Sequence, residues 1–254
     1  MIFDTHAHYD DEAFDEDREQ LLLSLKEQGV LQIVNIGASF ESNEFTLKLA
    51  EKYDFIKAAF GIHPNYADKL NEDNFKRIEQ LCRLEKCVAV GEIGLDCYWP
   101  EPDSSIQKEW FAKQMDLAKR IAKPIIVHSR DAAQDTYDMM KAQKAGDIGG
   151  VVHCFSYSKE MAKQFVDMGF YIGIGGVVTF KNSKKLKEVV EYIPLEHLVL
   201  ETDCPYLVPV PFRGKRNSSL LLPYVVETIS EIKQISKEEV EQITWDNAHK
   251  LYRL

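Results

Sequence analysis

Short apolar runs alternate with amphipathic stretches along the whole chain. Some runs are almost continuously apolar, such as Ile125-Ile126-Val127 and Leu198-Val199-Leu200. Such runs are typical of strands that are buried on both faces, as they are in parallel sheets. The pattern predicts eight strands, near residues 2–6, 30–37, 56–62, 87–92, 124–128, 149–154, 171–175 and 198–202.

The stretches between these runs carry apolar residues at helical spacing. An early stretch has them at Phe14, Leu21, Leu22 and Leu25. A late stretch has them at Leu222, Val225, Val226, Ile229 and Ile232. Ser236, with Glu239 three residues later, predicts a capping box that begins the last helix.

Eight strand–helix alternations in 254 residues predict an α/β fold, a (β/α)₈ TIM barrel, with its site at the C-terminal ends of the strands. No repeat, low-complexity segment or linker interrupts the pattern, so residues 1–254 are expected to form a single domain. An open doubly wound sheet is the alternative, and the lack of a G-x-G-x-x-G after the first strand disfavours it. The proline-rich segment 205–211 is interpreted as a rigid loop over the site.

Charge and cysteine content narrow the class of protein. The net charge of −10 argues against non-specific coating of nucleic acid, although it leaves a nucleic-acid substrate possible. Five cysteines without a C-x-x-C indicate a reducing compartment. There is no apolar run long enough for a membrane span and no secretory signal, so a cytoplasmic protein without membrane association is expected. The sequence shows no obvious stripe of residues for oligomerisation, so no obligate protein partner is expected.

Histidines are concentrated at the ends of the apolar runs. His6 and His8 end the first run, His63 the third, His128 the fifth and His153 the sixth. In a barrel of this kind those ends form one mouth. The H-x-H pair places both imidazoles on the same face of its strand, because side chains alternate with a period of two.

Carboxylates occupy matching positions. Glu92 ends the fourth run, Asp203 follows the eighth, and Asp4 shares a strand face with His6, where it could orient a ligand. Taken singly, each carboxylate is more typical of a helix cap and each histidine of a hydrogen-bonded core residue. Six such groups at one mouth would be costly to bury without a cation. We therefore predict a metal centre formed by His6, His8, Glu92, His128, His153 and Asp203.

Two cysteines directly follow predicted ligands. Cys154 comes after His153 and Cys204 after Asp203. Since adjacent strand residues point to opposite faces, both thiols are expected to pack away from the site as small apolar groups.

Several motifs resemble those of the TatD-type metal-dependent deoxyribonucleases, a branch of the amidohydrolase superfamily. They run from residue 4 to residue 217: Asp4-Thr5-His6-Ala7-His8, Gly61-Ile62-His63-Pro64, Gly91-Glu92-Ile93-Gly94-Leu95-Asp96, His128-Ser129-Arg130, His153-Cys154-Phe155-Ser156, Glu201-Thr202-Asp203-Cys204-Pro205-Tyr206-Leu207 and Pro211-Phe212-Arg213-Gly214-Lys215-Arg216-Asn217. Their order and spacing carry the resemblance, which an H-x-H pair alone would not.

The resemblance implies two divalent ions, Mg²⁺, Mn²⁺ or Zn²⁺, and a role for each ligand. His6, His8 and Asp203 would hold one ion. His128 and His153 would hold the second, with Glu92 as the bridging carboxylate. The implied activity is hydrolysis of DNA, either single-stranded or at strand ends. One departure is Ser218-Ser219, where the family usually has Glu-Pro, which bears on substrate fit or a third metal position.

A two-metal mechanism assigns Glu92 and Asp203 to catalysis, with Asp203 orienting a water and taking its proton. Arg130 would bind phosphate, or else form a salt bridge with the adjacent Asp131. His63 would contact substrate or support a ligand. Arg213, Lys215 and Arg216 would guide phosphate, or else form a solvated loop.

Two other functions share parts of this pattern. A hydrolase of a small amide, ester or lactone would use the same ligands, and Arg130 with the basic loop favours phosphate over it. A non-enzymatic binding module is the third hypothesis, which the intact set of six ligands disfavours.

Overall fold

Eight parallel strands follow one another around a barrel in the order β1 to β8. The structure, a computed structural model, describes all of residues 1–254. The strands are β1 (Ile2–Ala7), β2 (Val30–Ile36), β3 (Ile56–Phe60), β4 (Cys87–Asp96), β5 (Ile125–Arg130), β6 (Gly150–Val152), β7 (Phe170–Ile174) and β8 (Leu198–Leu200). The predicted (β/α)₈ barrel is confirmed.

One α-helix follows each of the first seven strands, and two follow β8. They are α1 (Arg18–Leu25), α2 (Phe40–Lys52), α3 (Glu72–Cys82), α4 (Ser104–Arg120), α5 (Ala133–Ala142), α6 (Lys159–Asp167), α7 (Lys184–Tyr192), α8 (Leu222–Lys233) and α9 (Lys237–Tyr252). Phe14 lies outside α1, in a 3₁₀ turn at Glu12–Phe14. Ser236 caps α9, where its hydroxyl accepts a hydrogen bond from the backbone N–H of Glu239.

The barrel closes where the end of β1 meets the segment after β8. The backbone N–H of Asp203 donates to the carbonyl of His6 at 2.9 Å, and the N–H of His8 donates to the carbonyl of Cys204 at 2.9 Å. These bonds continue the parallel pairing past the last residue of β8. Closure therefore brings Asp203 beside the H-x-H pair, which lies about 200 residues earlier in the chain.

Strands β4 and β5 are longer than the apolar runs that predicted them. Their pairing continues from Gly94 opposite His128 to Asp96 opposite Arg130. Gly94 permits this approach, because a Cβ atom there would lie 1.9 Å from the carbonyl oxygen of His128. The extension carries the side chain of Asp96 into the mouth of the barrel.

Membrane crossing needs a long and strongly apolar helix, and none of the nine α-helices meets both requirements.

Candidate metal centre

The H-x-H pair places two imidazoles in contact at the end of β1. The Nε2 atoms of His6 and His8 lie 3.1 Å apart. The Nδ1 atom of His8 lies 3.0 Å from the carbonyl oxygen of Ile36, so this nitrogen donates its proton there. Both Nε2 atoms are therefore directed into the barrel mouth.

Glu92 lies between two pairs of histidines. Its Oε2 atom is 3.5 Å from Nε2 of His6 and 3.8 Å from Nε2 of His8. Its Oε1 atom is 2.7 Å from Nδ1 of His128 and 2.6 Å from Nε2 of His153. The two oxygens of one buried carboxylate thus face different histidine pairs, as a bridging ligand requires.

Asp203 completes the cluster on the side of the H-x-H pair. Its Oδ1 atom lies 3.4 Å from Nε2 of His8 and 3.7 Å from Nε2 of His6. Its backbone adopts a left-handed conformation, with φ of 55°, which is uncommon for a residue other than glycine. Asn217 supports this turn, since its side-chain amide donates to the carbonyls of Thr202 and Tyr206.

Asp4 orients the site through the backbone. Its buried carboxylate accepts hydrogen bonds from the backbone N–H groups of His6 and Thr202 and from the hydroxyls of Thr202 and Ser219. It thereby holds the two chain segments that carry His6 and Asp203 together. Ser219, one of the two residues that depart from the usual Glu-Pro, is part of this network.

His63 is also brought into the cluster. Its Nε2 atom is 3.6 Å from Oε1 of Glu92, and its ring centroid is 4.2 Å from that of His128. Its Nδ1 atom accepts a hydrogen bond from the backbone N–H of Asn65. His63, Glu92 and His128 each offer a ligand atom within 4.8 Å of the others, as do His6, His8 and Asp203.

Burial lowers the pKa of two histidines of the cluster, whereas nearby carboxylates raise the pKa of others. Burial lowers the pKa of His6 to about 4 and that of His63 to about 3. Burial alone would also lower the pKa of His8, but the carboxylate of Asp203 raises it to about 10. In the same way, the charge of Glu92 outweighs burial and raises the pKa of His153 to about 9. The cluster therefore holds positive charge through its contacts with buried carboxylates.

The donor set fits divalent metal ions. Imidazole nitrogens lie 3.1 Å apart in the His6–His8 pair and 3.2 Å apart in the His128–His153 pair. Two nitrogen lone pairs at this distance repel unless a proton or a cation lies between them. Neutral imidazoles and carboxylates are the ligands that Zn²⁺ and Mn²⁺ favour, and carboxylates also suit Mg²⁺.

Asp96 is a residue of the site that the apolar pattern did not reveal. Its Oδ2 atom lies 3.1 Å from Nε2 of His128, on the opposite ring nitrogen from Glu92. Glu92, Gly94 and Asp96 occupy alternate positions of β4. Their period of two was the available signal, but the polar and glycine residues ended the apolar run at Glu92.

Arg130 shares a strand face with His128, since β5 continues to residue 130. Its guanidinium lies 3.8 Å from the ring centroid of Tyr98 and does not pair with Asp131.

The three cations of the basic loop, Arg213, Lys215 and Arg216, lie outside the cavity. Arg216 forms a bidentate salt bridge with Asp17, and Arg213 lies over the ring of Phe180. Neither of them, nor Lys215, lines the cavity at the mouth.

Both cysteine thiols were predicted to pack away from the site, and this is confirmed for Cys204 only. Cys204 is fully buried away from the cavity. Cys154 lines the cavity instead, so its predicted orientation was wrong. Strand β6 ends at Val152 and Cys154 has a φ of 45°, so the alternation of strand side chains no longer applies there.

The candidate ligands form a metal-ligand cluster of His6, His8, Glu92, His128, His153 and Asp203. This cluster lies at the base of an open cavity of about 790 Å³. Most of the residues that line it are polar, and Arg130 is the only lysine or arginine among them. Three aromatic side chains also line it, Tyr66, Trp99 and Tyr206. Tyr206 belongs to segment 205–211, which was predicted to lie over the site, whereas no pattern in the sequence had indicated Tyr66 or Trp99.

The chain is similar in sequence and in fold to known metal-dependent hydrolases. A family model described as "TatD related DNase" matches residues 3–253. An uncharacterized metal-dependent hydrolase of Bacillus subtilis, YabD, is 45% identical over 100% of both chains. Another from Mycobacterium tuberculosis, TatD, is 37% identical over 100% of this chain and 98% of its own. The crystal structure of the TatD homologue YjjV from Escherichia coli superposes with a TM-score of 0.94 at 33% identity, covering 100% of this chain and 98% of that one.

Proposed function

The chain belongs to the TatD-related DNases, a family of metal-dependent hydrolases, and we propose that it hydrolyses phosphodiester bonds of DNA, from single-stranded ends. The observation that carries this proposal is the position of Glu92, whose two oxygens face different histidine pairs at the base of an open cavity. This arrangement is suited to two divalent ions acting on one bond.

We assign His6, His8 and Asp203 to one ion and His128 and His153 to the other, with Glu92 between them. Mg²⁺, Mn²⁺ and Zn²⁺ are all compatible with these ligands. Such ions, when bound, lower the pKa of water and offset the charge that develops on phosphoryl oxygens.

Asp203 is assigned as the proton acceptor. Its side chain is 18% exposed, whereas that of Glu92 is 4% exposed. Both carboxylates line the cavity, and Asp203 is the more accessible of the two to a water that enters from it, so we assign the proton transfer to Asp203 and the bridging position among the histidines to Glu92. His63, at the edge of the cluster, is placed to contact the substrate or to support His128.

Arg130 is assigned to bind the substrate phosphate. It is exposed in the cavity and is free of carboxylate partners, so its N–H donors are available. Arg213 and Lys215 remain predicted contacts to more distant phosphates. Arg216 would have to leave Asp17 before it could contribute.

One observation favours a second candidate, hydrolysis of a small uncharged amide, ester or lactone. Asp10 and Asp11 also line the cavity and add negative charge to its wall. An acidic wall repels a polyanion more than it repels a neutral substrate. Bound cations would offset this repulsion, which keeps the phosphodiester as the first candidate.

The test uses metal-stripped protein with single-stranded DNA labelled at the 5′ or the 3′ end, with and without Mg²⁺ or Mn²⁺. We expect a metal-dependent ladder of shortened products that Glu92→Ala abolishes. Glu51→Ala, at an exposed position of α2, serves as the matched control and should leave the ladder unchanged. DNA that stays intact in the presence of bound metal would rule out the phosphodiesterase and direct the search to amides and lactones.

A further inference from the structure

Two adjacent aromatic residues stand exposed in the loop between β4 and α4. Tyr98 is 54% exposed and Trp99 is 51% exposed. Their ring centroids are 4.9 Å apart and their planes are perpendicular. Trp99 lines the cavity above the metal-ligand cluster. Two adjacent exposed aromatic side chains, one of them in the lining of the cavity, form an apolar surface that a ligand in the cavity could cover.

The loop is tied to the metal-ligand cluster at its first residues. The backbone N–H of Tyr98 donates to Oδ1 of Asp96 at 3.0 Å, and the other oxygen of Asp96 contacts His128. The buried side chain of Gln107 accepts from the N–H of Asp96 and donates to the carbonyl of Pro102. The aromatic pair is therefore held in a defined position relative to the cluster.

Arg130 braces the pair from the other strand. Its guanidinium stacks on Tyr98, and its carbonyl accepts the N–H of Cys97 at 2.9 Å. This stack occupies one face of Tyr98 and keeps the guanidinium at the cavity rim. Of the two rings, Trp99 lines the cavity and Tyr98 does not, so Trp99 is the ring that a ligand in the cavity would meet.

We propose that Trp99, braced by Tyr98 and Arg130, is a stacking platform for the terminal base of a single-stranded DNA substrate. This inference rests on the proposed function and specifies how the substrate is held. An aromatic face next to a guanidinium matches a nucleotide, which presents a flat base next to a phosphate.

The charge of the cavity explains why such a platform is needed. Arg130 is the only lysine or arginine of the lining, so phosphate contacts alone provide little attraction for a strand. Stacking supplies affinity without selecting a sequence, because every base has an aromatic face. A base inside a duplex is already stacked on its neighbours, so the platform favours an unpaired end.

The kinetic test compares the wild type with Trp99→Ala and Trp99→Phe. Substrates are a single-stranded oligonucleotide with ordinary terminal nucleotides and the same oligonucleotide with abasic terminal sites. We expect Trp99→Ala to raise KM roughly 10-fold, Trp99→Phe to retain most of the affinity, and kcat to change little. Tyr192→Ala, an exposed tyrosine of α7, is the matched control.

The abasic substrate makes the test specific for stacking. For the wild type, the abasic site should raise KM by the same factor as Trp99→Ala does. For Trp99→Ala, the abasic site should not raise KM any further, because the stacking contact is already absent. Equal losses from the abasic site in the wild type and in Trp99→Ala would overturn the proposal.

A second measurement reads binding separately from cleavage. Trp99 fluorescence should be quenched by the oligonucleotide in a stopped-flow experiment before turnover, and Trp99→Phe should lose this signal, although Trp110 and Trp245 remain. Quenching without any cleavage would refute the proposed hydrolysis and retain the platform. Cleavage without quenching would refute the platform and retain the hydrolysis.

Discussion

The carboxylate of Asp96 lies 3.1 Å from Nε2 of His128, while the other nitrogen of that ring faces the ligand cluster. A carboxylate in this position fixes the orientation and the tautomer of a metal-binding imidazole. Cys97, the first residue after β4, begins the loop that carries the aromatic pair. Asp96 thus links the ligand cluster to the predicted substrate platform.

Asp96→Asn should weaken the binding of metal. The amide oxygen is a weaker acceptor than a carboxylate for the hydrogen bond that Nε2 donates, so His128 becomes a less well oriented and less basic ligand. We expect a loss of about 10- to 100-fold in affinity for at least one ion, measured by titration calorimetry. Asp131→Asn, an exposed neighbour of Arg130, should leave the affinity unchanged. An unchanged affinity in Asp96→Asn would remove this residue from the site.

Glu201 is predicted to support the two histidines on the far side of the cluster. Its Oε2 atom and the Nδ1 atoms of His6 and His153 are buried without hydrogen-bond partners. One ligand atom of each of these residues lies within 4.8 Å of the others. A bridging water that accepts from both imidazole N–H groups and donates to the carboxylate would satisfy all three groups.

Glu201→Gln should therefore reduce the metal content without unfolding the barrel. The amide oxygen can still accept the hydrogen bond that Cys154 donates through its backbone N–H. The measurement is metal stoichiometry after dialysis, alongside far-UV circular dichroism. Glu196→Gln, at an exposed position before β8, is the control. Full metal content in Glu201→Gln would show that the histidines need no support from this side.

Removal of metal should lower the thermal stability. The cluster gathers five histidines and two carboxylates in a largely buried place, and ions bound to the folded state stabilise it by mass action. At 100 times the dissociation constant, one such ion contributes about 2.7 kcal/mol. We expect the melting temperature to fall with a chelator and to recover when metal is added. Glu92→Ala should abolish most of that response.

Metal affinity should rise with pH. In the metal-free protein the pKa values of His8 and His153 are raised to about 10 and about 9, so both rings are positively charged imidazolium groups at pH 7. A metal binds only the neutral imidazole, so binding must release these protons. Calorimetry at pH 7 in buffers of different ionisation enthalpy should show a buffer-dependent heat. A heat that is the same in all buffers would contradict these protonation states.

The basic loop should act through long-range charge. Changing Arg213 and Lys215 to glutamine should raise KM for DNA severalfold at low salt, with a smaller effect at 0.5 M salt, because salt screens exposed charges. Arg130→Gln should raise KM more and retain its effect at high salt, since it lies in the cavity. An effect of the loop variants that does not depend on salt would indicate a direct contact instead.

The sequence alone predicted the barrel, and it identified most of the candidate metal ligands that the structure brings together. Strands buried on both faces read as apolar runs, and a parallel barrel collects their ends at one mouth, so polar residues at those ends could be assigned together. Local patterns sufficed because each of His6, His8 and Glu92 lies within or at the end of a strand whose direction is known.

Only the tertiary structure decided which neighbours meet across the barrel. Asp96 entered the site because β4 pairs with β5 beyond the apolar run, and Cys154 turned into the cavity because β6 had already ended. Arg216 forms a salt bridge with Asp17, about 200 residues away in the chain. Trp99 became a candidate platform through the packing of a loop against Arg130. These relationships depend on where strands end and on contacts between distant segments, and a periodic pattern along one chain carries neither.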